Sequence, residues 1–105
     1  MRDIYRLLHD EGADVVLTGH AHFYERFARQ DADGNTRDDG VRQFVVGTGG
    51  RDLITPDQDL APNSQVRIAH SFGVLKMTLG AKRYWWRYVA TPGSPGSDSG
   101  STACH

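Results

Sequence analysis

Asp14-Val15-Val16-Leu17-Thr18 is a β-branched, apolar run without polar alternation. Such a run predicts a strand covered on both faces rather than one side of a wet sheet. Just before it, Ile4, Leu7 and Leu8 recur at i, i+3 and i+4, with Tyr5 alongside. That spacing predicts a short amphipathic helix between Arg2 and Glu11, capped by Asp3 and stopped at Gly12. Helix, tight turn and covered strand are the grammar of an α/β layer.

Downstream the pattern becomes that of antiparallel strands. Phe27 to Gln30 reads as a strand leading into the turn formers Asp31-Ala32-Asp33-Gly34-Asn35-Thr36-Arg37-Asp38-Asp39-Gly40. The carboxylates invite a calcium reading, but an EF-hand counted from Asp31 needs Gly and Glu where Thr36 and Arg42 stand. A solvated hairpin loop is the better account. Gln43 to Val46 reads as a strand ending in Gly47-Thr48-Gly49-Gly50. The stretch from Arg51 to Ser64, with Pro56 and Pro62, reads as irregular, and Gln65 to Ala69 as a short strand. Val74 to Leu79 and Arg83 to Val89 flank Gly80-Ala81-Lys82, the signature of a β-hairpin.

In that hairpin Leu75, Met77 and Leu79 share a face. On the other arm Tyr84, Trp86 and Tyr88 share one face, and Trp85 and Val89 the opposite one. Large rings on both faces predict an arm lying between two layers. Residues 91–105 are rich in Gly, Ser and Pro and predict an irregular or mobile tail behind a packed part of residues 1–90.

Composition narrows the function classes. The 105 residues carry 12 Lys+Arg against 13 Asp+Glu, a formal net charge of −1, with the two signs interleaved. No basic face results, so nucleic acid is not an expected partner. No apolar run approaches the ~20 residues of a membrane-spanning helix. Cys104 is the single cysteine, which excludes an intrachain disulfide and a cysteine-based zinc site. Asp3, Asp10, Glu11 and Asp14 interrupt every apolar run of a would-be export signal, and localisation stays open. With the tail, the acidic loop and residues 52–64 set aside, what remains is near the size of ~60 residues at which a domain buries only about 60% of its unfolded surface. The chain by itself is therefore expected to be marginally stable, its aromatic hairpin awaiting a further layer.

Chemistry concentrates in Gly19-His20-Ala21-His22-Phe23-Tyr24-Glu25-Arg26, directly after the apolar run. In extended chain two histidines at i and i+2 point to the same side, with Cα atoms about 6.6–7 Å apart. With nitrogen–metal bonds of ~2.0–2.1 Å, that separation suits two ions ~3.5–4 Å apart, one histidine to each, and also a single shared ion. Gly19 allows the chain to leave the strand sharply, and the carboxyl end of an α/β strand is the usual place for a ligand. A His-x-His pair alone fits equally well with two hydrogen-bonded or solvated imidazoles.

Other candidates have plainer readings. Gly47-Thr48-Gly49-Gly50 lacks the Gly-Lys-Ser/Thr of a phosphate loop and reads as a tight turn. Arg51 could reach a phosphate, or simply stand exposed beside Asp52. His70 reads as a structural imidazole, His9 as solvated and His105 as terminal. Trp85 and Trp86 read as core rather than as a stacking platform for an aromatic ester.

The string from Asp14 to Arg26 resembles the Gly-His-x-His metal motif of the calcineurin-like metallophosphoesterases. Its Tyr24-Glu25-Arg26 continuation resembles the purple acid phosphatase branch. Softer similarity extends over Gln43 to Gly50, Ser71 to Lys76 and Asp98 to His105. The resemblance implies an α+β fold, the C-terminal part of that family's α/β/β/α sandwich: one N-terminal helix, a buried strand, then mainly antiparallel strands and a hairpin. It makes His20 a ligand of one metal and His22 a ligand of the other, with Gly19, Tyr24, Glu25 and Arg26 standing behind them. It implies hydrolysis of phosphate esters at a dinuclear centre of iron with zinc, manganese or iron.

In the family the remaining ligands and the protonating histidine come from upstream motifs that this sequence does not contain. The resemblance therefore implies that the chain needs an N-terminal half of the domain, holds at most one weakly bound ion alone, supplies no catalytic residue of its own, and derives from an exported parent. The competing readings are a non-catalytic metal-binding or partner-docking module and a non-functional truncated product.

Overall fold

The computed structural model describes residues 2–50, Asp52 and 61–105. One helix and seven strands follow in the order α1 (Arg2–Asp10), β1 (Val15–Thr18), β2 (Tyr24–Phe27), β3 (Arg42–Val46), β4 (Ser64–Ile68), β5 (Gly73–Leu79), β6 (Arg83–Ala90) and β7 (Asp98–Ala103). The helix ends where Gly12 takes a left-handed φ of 79°, and the Ala13 N–H returns to the Leu8 carbonyl at 2.9 Å. The irregular reading of residues 51–64 and the suggestion for Arg51 fall largely outside the described residues.

The strands form two sheets, ordered β1-β3-β2-β4 and β5-β6-β7. In the first, β1 runs parallel to β3 with Val15 opposite Arg42, and β3 and β4 flank β2 antiparallel. In the second, all pairs are antiparallel, with Met77 and Gly100 on either side of Trp86. Buried Tyr24 and Phe44 of the first sheet meet buried Tyr84, Trp86 and Tyr88 of the second. Tyr24 stacks on Tyr88 with ring centroids 4.5 Å apart, and Phe44 meets Trp86 edge-on at 5.5 Å. Such ring pairs add about 0.5–1.5 kcal/mol each beyond the area they bury. The α+β architecture is the one expected.

The strand expected over Phe27 to Gln30 lies earlier, at Tyr24–Phe27. Three further local expectations need correction. Residues 91–105 are not irregular throughout, because Asp98–Ala103 forms β7 along β6. The strand carries none of the apolar alternation that marks a strand in sequence. Its small side chains are what the position requires: a Cβ at Gly100 would lie 2.5 Å from the Trp86 ring. Second, β6 does not lie between two layers among the described residues. It buries Tyr84, Trp86 and Tyr88 and leaves Trp85 and Val89 exposed on the other side. Third, β1 is an edge strand that is only partly covered: none of its four residues is fully buried, and Leu17 is 57% exposed.

The acidic loop is a turn built on its own first carboxylate. Asp31 Oδ1 accepts from the N–H groups of Asp33 at 2.9 Å and Asn35 at 3.0 Å. Those backbone donors hold the Asp31 carboxyl below its ordinary range. Gln30 closes the loop by bridging to Thr36 and Val41.

Candidate metal centre

The parallel pair β1/β3 and the antiparallel start of β2 converge on one edge of the first sheet. Residues 19–23 leave the carboxyl end of β1 there and return as β2. Residues 20–23 form a bend rather than the extended chain expected of them. The strand spacing rule therefore does not set the separation of His20 and His22. What shapes the bend is the backbone beneath it. A Cβ on Gly47 would fall 1.9 Å from the Ala21 carbonyl oxygen, so only glycine lets the bend cross β3 at this depth. The Gly47 N–H then donates to the Phe23 carbonyl at 3.2 Å.

Gly47 is tied in turn to the second sheet through Thr48. Its buried hydroxyl donates to the Gly73 carbonyl at 2.9 Å, and the Gly73 N–H donates to the Thr48 carbonyl at 3.0 Å. The tight turn read from Gly47-Thr48-Gly49-Gly50 is thus the support on which the histidine bend rests.

His20 is exposed and His22 half-buried. His22 Nδ1 lies 2.6 Å from the Asp52 carbonyl oxygen. A carbonyl can only accept, so Nδ1 carries the hydrogen and, in the neutral ring, Nε2 holds the lone pair. This is the arrangement in which a metal-binding imidazole is oriented by a backbone carbonyl. Among the described residues no three His, Cys, Asp or Glu side chains come together as a cation site.

The residues expected behind the histidines divide by strand alternation. Gly19 packs closely, its would-be Cβ 3.4 Å from the Val46 carbonyl. Tyr24 and Arg26 point into the interface between the sheets. The Tyr24 hydroxyl donates to Asp98 Oδ2 at 2.5 Å, Arg26 donates to both oxygens of the same carboxylate at 2.8 and 3.2 Å, and Trp86 Nε1 adds a third donor group at 3.2 Å. Burial first, then this hydrogen bond, pushes the Tyr24 phenol far above its ordinary pKa. Glu25 points the other way and, 3% exposed, accepts from Ser64 Oγ at 2.7 Å and Arg67 Nε at 3.0 Å.

Three contributors escape sequence reasoning: Asp98, Arg67 and the Asp52 carbonyl. Asp98 lies in a composition that signals only a tail. Arg67 faces Glu25 only through the β2/β4 register. A main-chain carbonyl has no sequence signal at all. The remaining histidines stay apart from the bend. His70 is exposed at a positive φ of 61°. His9 pairs with Asp39 at 3.7 Å. His9 is therefore not merely solvated, and terminal His105 lies 3.3 Å from Asp14 Oδ1.

No protein-family model and no curated protein matches the chain. A solved structure does: purple acid phosphatase PPD1 isolated from yellow lupin (Lupinus luteus) seeds, at a TM-score of 0.82 and 23% sequence identity. The match covers 96% of this chain and 19% of that one, so the present chain spans about a fifth of its length. The one-helix, two-sheet arrangement is thus similar in fold to a part of that phosphatase.

Proposed function

We propose that this chain is part of a metal-dependent phosphoesterase, to which it contributes His20 and His22 as metal ligands. The observation that carries the reading is the His22 ring, whose Nδ1 is occupied by the Asp52 carbonyl while Nε2 is left as a donor. The likeness of fold to a purple acid phosphatase supports it, and so does the place of the bend at the carboxyl end of the parallel pair.

The chemistry that two such ions supply when bound is neutralisation of charge on phosphoryl oxygens and activation of water. The residues of this chain have a narrower task. Gly47 and Thr48 hold the bend, His22 presents a fixed nitrogen, and exposed His20 is free to turn toward a second ion. The remaining ligands, the group that protonates the leaving oxygen and the pocket for a phosphate ester would come from further protein packed against this chain. Two open apolar patches would receive it: Ile4 and Leu7 of α1, each more than half exposed, and Val74, Trp85 and Val89 on the outer face of β5 and β6.

A cobalt(II) titration of the chain tests the proposal. Weak binding of a single ion is expected, lost in the His20→Ala, His22→Ala double variant. Undiminished binding in that variant would refute the assignment.

A further inference from the structure

The residue that follows His22 is held by a side chain from another strand. The Arg67 guanidinium carbon lies 5.4 Å from the centroid of the Phe23 ring. Arg67 is itself fixed, because its Nε donates to Glu25 Oε2 at 3.0 Å and the two side chains are only 13% and 4% exposed. Glu25 and Arg67 stand directly opposite each other on β2 and β4. Ser64, also on β4, donates to the same oxygen at 2.7 Å. Swinging the guanidinium away would leave a buried carboxylate without its counter-charge, a costly state. Its flat face is therefore committed to Phe23. Phe23 is gripped a second time at its carbonyl, by the Gly47 N–H at 3.2 Å. It is the last residue of the bend that carries both histidines, so its backbone direction is passed on to His22.

Building on the metal-ligand reading above, we propose that Arg67, fixed by Glu25 and stacked on Phe23, is a positioning residue. It holds the bend so that His22 Nδ1 meets the Asp52 carbonyl and Nε2 faces outward as a donor. Arg67 touches neither histidine; it acts through Phe23.

Two variants of the 105-residue chain separate this role from mere stability. Arg67→Lys keeps a positive charge for Glu25 but has no planar face to stack. Phe23→Leu keeps an apolar side chain and leaves the Glu25–Arg67 pair intact. Nuclear magnetic resonance of the ring nitrogens should show one Nδ1–H tautomer for His22 in the parent chain and a tautomer mixture in both variants. Cobalt(II) affinity should fall about tenfold, the scale on which residues orienting a metal ligand act. Near-ultraviolet circular dichroism of the tyrosine and tryptophan core should stay unchanged. If Arg67→Lys disturbs that core signal, Phe23→Leu alone decides the matter. A parent-like tautomer in a folded Phe23→Leu chain would overturn the proposal. If the parent chain binds no cobalt at all, the metal-ligand reading falls, and the tautomer measurement still decides whether Arg67 positions the ring.

Discussion

Tyr24 and Asp98 meet through a 2.5 Å hydrogen bond across 74 residues of sequence, and Arg26 holds the same carboxylate with two more bonds. The first strand after the histidine bend is thereby locked to the first residue of β7. Asp98→Ala would leave the Arg26 guanidinium, 15% exposed, without its carboxylate. Breaking a buried pair in this way costs about 3–5 kcal/mol. The expected outcome is a matching drop in unfolding free energy by urea titration, together with faster amide exchange along β7. Asp98→Asn, which retains an acceptor for Tyr24, should lose less.

Gly47 and Gly49 lie two residues apart and should respond oppositely to the same substitution. A Cβ on Gly47 meets the Ala21 carbonyl oxygen at 1.9 Å, whereas one on Gly49 meets nothing within 4 Å. Gly47→Ala is expected to displace the histidine bend, lower the melting temperature and abolish cobalt(II) binding. Gly49→Ala should leave all three unchanged. Equal behaviour of the two variants would show that the bend does not rest on β3.

The layout of the fold is largely readable from the order of residues, and the supports of the site much less so. Hydrophobic spacing locates α1, β1, β3 and the β5/β6 hairpin, although only β3 and β6 bury a regular face, and Ile4 and Leu7 of α1 stay exposed. It misses β7, which packs through Asp98, the small buried side chain of Thr102 and the absence of one at Gly100 beside Trp86. It also overstates the cover on Trp85 and Leu17, since a ring or a leucine in sequence says nothing about which layer lies opposite. The two histidines stand out by their spacing. The carbonyl that orients His22 belongs to the main chain and has no sequence signal, and Arg67 meets Glu25 only through the pairing of β2 with β4, which no local pattern encodes.

Alkaline pH should destabilise the chain through Tyr24. Its phenol has a raised pKa in the folded state, from burial first and then from the hydrogen bond and charge of Asp98, with Arg26 opposing in part. A raised value means that the phenol's contribution is complete below the unfolded pKa of about 10 and declines as pH climbs beyond it. Tyr5, pushed up to about 12 mainly by burial, acts with the same sign. Unfolding free energy measured from neutral to strongly alkaline pH should therefore fall above about pH 10. Tyr24→Phe should be less stable at neutrality, for want of the Asp98 bond, and show a shallower alkaline decline. An equally steep decline in Tyr24→Phe would remove Tyr24 from the explanation.

Trp85 and Trp86 are neighbours in sequence and differ in burial, 45% against 5% exposed. Trp86 meets Phe44 and Tyr84 through its ring, lies 5.1 Å and 4.9 Å from the guanidinium carbons of Arg26 and Arg42, and donates to Asp98. Trp86→Ala should cost at least the ~3–5 kcal/mol typical of a deleted core ring, enough to unfold a domain of ordinary marginal stability. Trp85→Ala opens no cavity between the sheets and should change stability by less than ~1 kcal/mol. Trp85 belongs instead to the open outer face of β5 and β6. Its removal should therefore act on association: if that face receives further protein, Trp85→Ala will lower the tendency of the chain to self-associate, as measured by analytical ultracentrifugation, while its urea midpoint stays put. A large loss of stability in Trp85→Ala would mean that the outer face is already covered within this chain.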